Sequence, residues 1–387
     1  MLFEEKNRLY DGPKTYVEDD FEYLDRSARK EAENVRFFLN KWIGFFPEAE
    51  AKDLISRIKS KDRRAFDSAI FEIVLYAIIS GLGGKLEVHP ALDNGSSKRP
   101  DFLVKMPKGE EFYLEAVLAS EFSEAEMAAE RRKNVVLNAI EKIESPNFFV
   151  GISAKGNPDK PPSGKALGKI LSGWLMGLDP DFVAKEIAGS SHEKVPVINV
   201  DCDGWHIKFE AIPKKPECRG NGQRVVGFLM GGARWVNGWQ PIRDAVKAKG
   251  GRYGELRKPY VVAVNFDSFS CSKIDEMQAL FGQEQFGFGA SNSGAKPVMQ
   301  RSPNGVWFGM DGPRYTRVSG AWIFGGLNSW NIVSRRNFLY FNPWSQYPLP
   351  DDMKKVNHAV SVDGKMEWTK ELQLSEILDL PKEWPEC

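Results

Sequence analysis

The sequence predicts a mixed α/β protein: a mixed sheet flanked by helices, joined to a strand-rich, tryptophan-rich C-terminal half. Three observations predict it. Residues 69–79 are apolar nearly all round, the mark of a buried helix. From that helix onward the periodic runs read helix, strand, strand, strand, helix, strand, the skeleton of a mixed sheet. Beyond residue 195 strand-like runs dominate, and nine of the eleven tryptophans lie there.

Taken in order, residues 1–60 are charged and helical in character, with an apolar patch at Phe37, Phe38, Trp42 and Ile43. The apolar helix runs from Ala65 to Ser80 and stops at Gly81, with Glu72 as the single acid of its apolar stretch. Lys85–His89 reads as a strand and Asp93–Ser97 as a loop. Asp101–Met106 and Phe112–Ala119 are strands joined by a Pro107-Lys108-Gly109 turn. Ser123 and Glu126 form a capping box that opens a helix reaching about Glu144, and Asn147–Ala154 is a further strand of the same skeleton.

A proline-rich break from Asn157 to Gly164 precedes helices at Lys165–Met176 and Asp179–Ala188. Strands are then expected at 195–200, 205–212, 225–230, 260–265, 320–324 and 337–341. The Gly-, Ser- and Asn-rich stretch Gln283–Gly305 reads as a long loop. The predicted organisation is a helical segment at 1–60, a core at 61–190 and an α+β region at 191–387, the boundary near 190 being soft because the strand at 260–265 also suits the same central sheet.

Bulk properties exclude some classes. The chain carries 53 basic and 53 acidic side chains, so net charge neither points to nucleic acid nor argues against it. Four cysteines with no C-x-x-C pair and four histidines make neither a disulfide scaffold nor a zinc site expected. The charged start, Met-Leu-Phe-Glu-Glu-Lys, lacks the apolar run of a signal peptide, and no stretch matches a spanning helix. A soluble, cytoplasmic protein is the expectation. No nucleophile elbow, P-loop or dinucleotide fingerprint occurs.

Three acids stand out because their surroundings make charge costly. Glu72 lies among Ile70, Phe71, Ile73, Val74 and Leu75, where an ionised carboxylate needs a partner or a metal. The bland alternative is a buried salt bridge with a nearby basic side chain. Glu115 lies between Leu114 and Ala116-Val117-Leu118, in a strand that reads as covered on both faces. Asp101 opens a strand, where an aspartate also serves simply as a cap.

The runs Arg99-Pro100-Asp101-Phe102-Leu103-Val104 and Tyr113-Leu114-Glu115-Ala116-Val117 resemble the signature of the PD-(D/E)XK nuclease superfamily, the restriction-endonuclease-like fold. There a Pro-Asp opens one strand, an acid-x-Lys lies on its neighbour, and an upstream helix often adds a glutamate. The resemblance covers roughly Ala65 to Ala154 and makes the 61–190 core a nuclease-like one. It implies Glu72, Asp101 and Glu115 as ligands of Mg²⁺ or Mn²⁺, which takes hard oxygen donors and activates water against a phosphodiester.

One position departs from that signature. Side chains alternate along a strand, so the lysine should share a face with Glu115 at residue 117, which is Val117. A displaced cation is then expected. Arg132 is the first candidate, being in phase with Ala125, Ala128, Ala129, Val136, Ala139 and Ile143 on the following helix. Arg131, Lys133 and Lys98 are near alternatives. Arg132 serves equally well as a structural partner of Glu72 or Glu115.

The second half adds a Gly231–Arg234 stretch and a basic one, in which Lys247, Lys249 and Arg252 are interleaved with glycines. With Lys98 these are the candidate nucleic-acid contacts, although an ordinary solvated helix end is the more frequent use of such a run. The resulting expectation is a metal-dependent endonuclease acting on DNA, with defence against foreign DNA as its setting. A catalytically inactive nuclease-like module that binds nucleic acid or a partner protein is the alternative. No membrane partner is expected, and a homodimer is left open.

Overall fold

Short helices open the chain: α1 (Asp20–Arg26), α2 (Lys30–Ile43) and α3 (Glu48–Lys59). The long α4 (Arg63–Gly81) starts at Asp62, whose carboxylate accepts from the N–H groups of Arg64 and Ala65. The strands β1 (Lys85–Val88), β2 (Phe102–Lys105) and β3 (Glu111–Ser120) follow, then α5 (Glu124–Ile140) behind the expected Ser123/Glu126 capping box. Next come β4 (Phe148–Lys155), α6 (Gly164–Met176), α7 (Pro180–Ala188), β5 (Val197–Cys202), β6 (Trp205–Pro213) and β7 (Val226–Gly231). The chain continues through α8 (Trp239–Gly250), β8 (Tyr260–Asp267), α9 (Lys273–Phe281), β9 (Glu284–Gly287) and β10 (Val298–Arg301). It ends with β11 (Phe308–Gly309), β12 (Gly312–Pro313), β13 (Gly320–Phe324), β14 (Asn337–Phe341), β15 (His358–Val362), β16 (Lys365–Thr369) and α10 (Leu374–Leu378). These elements come from a computed structural model, which describes residues 1–156, 160, 162–188, 194–202, 204–220, 225–231, 237–268, 271–287 and 298–386.

The chain divides into two units. The first comprises residues 1–12, 19–121 and 236–387; the second comprises 13–18 and 122–235. This division differs from the three segments read from the sequence, because it follows two separate sheets.

The first unit is built on an eight-stranded mixed sheet in the order β1-β2-β3-β8-β13-β14-β15-β16. β1, β2 and β3 form an antiparallel meander, while β8 runs parallel to both β3 and β13. One face packs against α4, which brings Phe71, Val74 and Ile78 onto Leu114, Ala116, Val261 and Ala263. The opposite face lies under α8 and α9, where Ile242, Val246 and Leu280 meet Tyr260, Val262 and Val264. A strand buried on both faces must be apolar without alternation, and Val261–Val264 is. That composition places β8 in the middle of the sheet.

Two expectations are corrected here. The Asn147–Ala154 run does form a strand, β4, but in the second unit, whose four-stranded sheet runs β5-β6-β4-β7. Its alternate residues Phe148, Val150 and Ile152 face a core made with α5, α6 and α7. The position beside β3 belongs to β8. The expected long loop at 283–305 instead carries an antiparallel pair, β9 with β10, at its two ends. Residues 288–297, and half of the proline-rich break, lie outside the described residues.

At the N-terminus Phe38, Trp42 and Ile43 join the core below α4, whereas Phe37 points outward with 71% of its surface exposed. Among the described residues no helix is long and apolar enough to cross a membrane.

Candidate functional site

The site begins where β2 and β3 part. The two strands pair from Phe102 opposite Leu114 to Lys105 opposite Glu111, and beyond that register the β2-facing edge of β3 has no strand partner among the described residues. An unpaired N–H in a buried sheet needs an acceptor. Asp101, one residue before β2, supplies it: its Oδ2 accepts from the N–H of Ala116 at 2.7 Å. The N–H of Asp101 in turn donates to Glu115 Oε2 at 3.2 Å. Two acids are thereby locked together, each carboxylate accepting from a backbone N–H at or beside the other residue.

Glu115 is 1% exposed. Alternation along β3 turns it to the α8 side of the sheet, shared with Tyr113 and Val117. There it meets Lys249, in the last turn of α8, whose Nζ lies 2.5 Å from Glu115 Oε1. The Tyr253 hydroxyl donates to Oε2 at 2.6 Å. Val117 occupies the place the signature gives to lysine and packs against the α8-side core.

The charge balance is uneven. Asp101 and Glu115 share a single nearby ammonium, and Glu72 adds to the negative field. Burial, then the carboxylates of Glu115 and Glu72, push the Asp101 carboxyl up to about 8, against the opposing pull of the Ala116 N–H and Lys249. The pair is thus short of positive charge, which raises the proton affinity of Asp101.

Glu72 lies close enough to act on Asp101 through space, but its oxygens are already engaged. Arg57, on α3, takes both in a two-pronged pair at 2.7 Å each, and the Ser68 hydroxyl adds a third contact at 3.2 Å. The bland alternative for this residue, a buried salt bridge, describes it. Among the described residues no group of three or more His, Cys, Asp or Glu side chains is arranged to hold a metal ion. Asp101 and Glu115 are a pair of adjoining carboxylates that could hold a divalent cation together.

Arg132, the first candidate for a displaced cation, sits half-buried on α5 in the second unit. Within the first unit, Lys249 is the cation on Glu115. The sequence's basic run marks Lys249 only as a nucleic-acid contact. A signal for it exists in the sequence, since Lys249 follows Ile242 and Val246 at seven and three residues and so falls on the core-facing stripe of α8.

The remaining candidates surround this point without entering it. Lys98 is exposed on the loop before Asp101, Arg252 is exposed beside the Tyr253 ring, and Lys247 is half-buried. Burial and the neighbouring Arg243 guanidinium hold the Lys247 ammonium below its usual range. His89 takes a left-handed backbone, φ 48°, and donates its N–H to Asp101 O, a structural role. Of the Gly231–Arg234 stretch, residues 232–234 lie outside the described residues.

Comparison of this chain with protein-family models, with curated proteins and with solved structures finds no match.

Proposed function

We propose that the chain is a metal-dependent nuclease hydrolysing phosphodiester bonds in DNA, an endonuclease on a restriction-endonuclease-like core. One observation carries this reading: Lys249 meets Glu115 beside Asp101, so two acids and a lysine converge where β2 and β3 part. The succession α4-β1-β2-β3-α8-β8 supports it, being helix, three-stranded meander, helix and parallel strand, with the second unit inserted between β3 and α8.

Asp101 and Glu115 suit magnesium or manganese. Mg²⁺ keeps several waters and needs only one or two carboxylates, and the raised Asp101 marks a site short of positive charge. Glu72, held by Arg57, belongs to the surrounding field rather than to the ligand pair. When bound, the cation supplies charge for a phosphoryl oxygen and acidifies a water.

The chain's own groups have separable tasks in this reading. Lys249 pairs with Glu115 and presents an ammonium to charge developing on the phosphate. Lys98, Lys247 and Arg252 are the proposed contacts to the DNA backbone, which recognise charge and not sequence. Defence against foreign DNA is the setting that the resemblance implies.

A second reading, a silent nuclease-like module binding nucleic acid or a partner protein, is favoured by the two-pronged Arg57–Glu72 pair, which satisfies one of the three acids without any metal. One experiment separates the two. Plasmid and linear DNA are incubated with the protein in Mg²⁺, Mn²⁺ or EDTA, beside Asp101→Asn and Glu115→Gln. Cation-dependent cutting lost in both variants is the expected result. DNA binding without cutting, unchanged in the variants, ends the nuclease reading in favour of the silent module.

A further inference from the structure

We propose that Tyr253 is a positioning residue for Glu115, fixing the carboxylate so that one oxygen turns to Lys249 and the other toward Asp101. The inference rests on the reading of Asp101 and Glu115 as the working acids. Tyr253 is buried, with 3% of its surface exposed, and its hydroxyl has two acceptors in reach: Glu115 Oε2 at 2.6 Å and Arg99 O at 3.1 Å. A hydroxyl carries one proton, and the carboxylate is the stronger acceptor. Without that bond, Oε2 keeps only the longer contact from the Asp101 N–H. Lys249 alone, on a flexible four-carbon stem, does not define the plane of the carboxylate.

A residue that positions another must itself be held. Asn94 donates from Nδ2 to Tyr253 O at 2.7 Å and to Glu255 O at 2.9 Å, and Arg317 donates to Gly254 O at 2.5 Å. Gly254 has φ +70°, a turn that a side chain would strain. The Tyr253 ring meets Tyr260 edge-on, with centroids 5.8 Å apart and planes at 87°. Three separate segments thus pin the 253–255 turn.

The test compares Tyr253→Phe with Tyr260→Phe, which also loses a buried hydroxyl but one that meets only the main-chain O of Lys249, at 3.3 Å. Mn²⁺ affinity is read by calorimetry, without turnover, and DNA cleavage is read separately as kcat and KM. Tyr253→Phe is expected to lower Mn²⁺ affinity about tenfold, the scale of losing a hydrogen bond behind a metal ligand. Its kcat falls while KM for DNA stays. Asn94→Ala, at an exposed residue, loosens the turn without touching Glu115 and gives a smaller loss in the same direction. Unchanged Mn²⁺ binding in both Tyr253→Phe and Asn94→Ala, or an equal loss in Tyr260→Phe, overturns the proposal while the nuclease reading stands. A wild type that neither binds Mn²⁺ nor cuts DNA removes the reading itself.

Discussion

Asp101 and Glu115 are tied reciprocally: the Asp101 N–H donates to Glu115 Oε2 at 3.2 Å, and Asp101 Oδ2 accepts from the N–H of the residue that follows Glu115 at 2.7 Å. The parting of β2 from β3 forces this arrangement, since Ala116 would otherwise leave a buried donor unpaired. The same tie holds two carboxyl groups together and makes it costly for both to ionise.

The cost has a pH signature. The Asp101 carboxyl, raised from 3.8 to about 8, binds a proton in the folded chain that the unfolded chain releases between those values. Stability of the cation-free protein therefore falls as pH rises from about 4 to about 8. Asp101→Asn removes the titrating group and should lack that fall. Urea unfolding at pH 5 and pH 8 checks this: the variant gains on the wild type at the higher pH. A gap between the two proteins that is the same at both pH values contradicts the assignment.

A divalent cation should act in the opposite sense. Binding to the folded state alone at a hundred times Kd adds about 2.7 kcal/mol by mass action. Thermal unfolding at pH 8 with Mg²⁺ or Mn²⁺ should show the wild type stabilised, and chelation should reverse the shift. Asp101→Asn and Glu115→Gln should not respond. An equal response in all three would place the cation elsewhere.

The acids were legible in the sequence because their neighbours betray them. Glu115 between Leu114 and Ala116-Val117-Leu118 announces a charge inside a covered strand, and Glu72 announces itself on an apolar helix in the same way. Their partners were not legible. Lys249 lies 134 residues beyond Glu115, across the inserted second unit, and its pairing follows from β8 running parallel to β3, which no local pattern encodes. The same insertion hides the order of the sheet, since β4 and β8 are apolar-rich runs of equal length and either suits the place beside β3 that β8 takes. Arg57 is only 15 residues before Glu72, yet it lies on a different helix, and charged residues of a surface helix give no sign of which one turns inward.

Glu72 yields a prediction that distinguishes field from ligand. Both of its oxygens are committed to Arg57, so Glu72→Gln should reduce cleavage less than tenfold while Asp101→Asn abolishes it. The main effect falls on stability. Losing the Glu72 charge removes the two-pronged partner of Arg57, but Arg57 keeps Asp53 at 2.8 Å and a quarter of its side chain is exposed, so the cost falls below the about 3 kcal/mol of an uncompensated buried charge. Chemical denaturation and cleavage rates measured on the same variant read both effects. Complete loss of cutting in a Glu72→Gln protein that remains folded would return Glu72 to the ligand set.

Lys249 and Arg132 can be set against each other directly. Lys249 is the cation at Glu115, so Lys249→Met should lower kcat at least a hundredfold, on the scale of losing one electrostatic stabiliser of the reacting group. It should also destabilise the fold, because Glu115 is left buried beside Asp101 with only Tyr253 and a backbone N–H. Lys249→Arg separates the two effects. An arginine keeps the charge that Glu115 requires but replaces a compact ammonium with a planar fork, so stability should return while kcat remains depressed. Arg132→Gln should leave kcat within about threefold of the wild type, well short of that electrostatic contribution. Loss of cutting on Arg132→Gln with full activity in Lys249→Met would reverse the assignment and make the cation a contribution of α5.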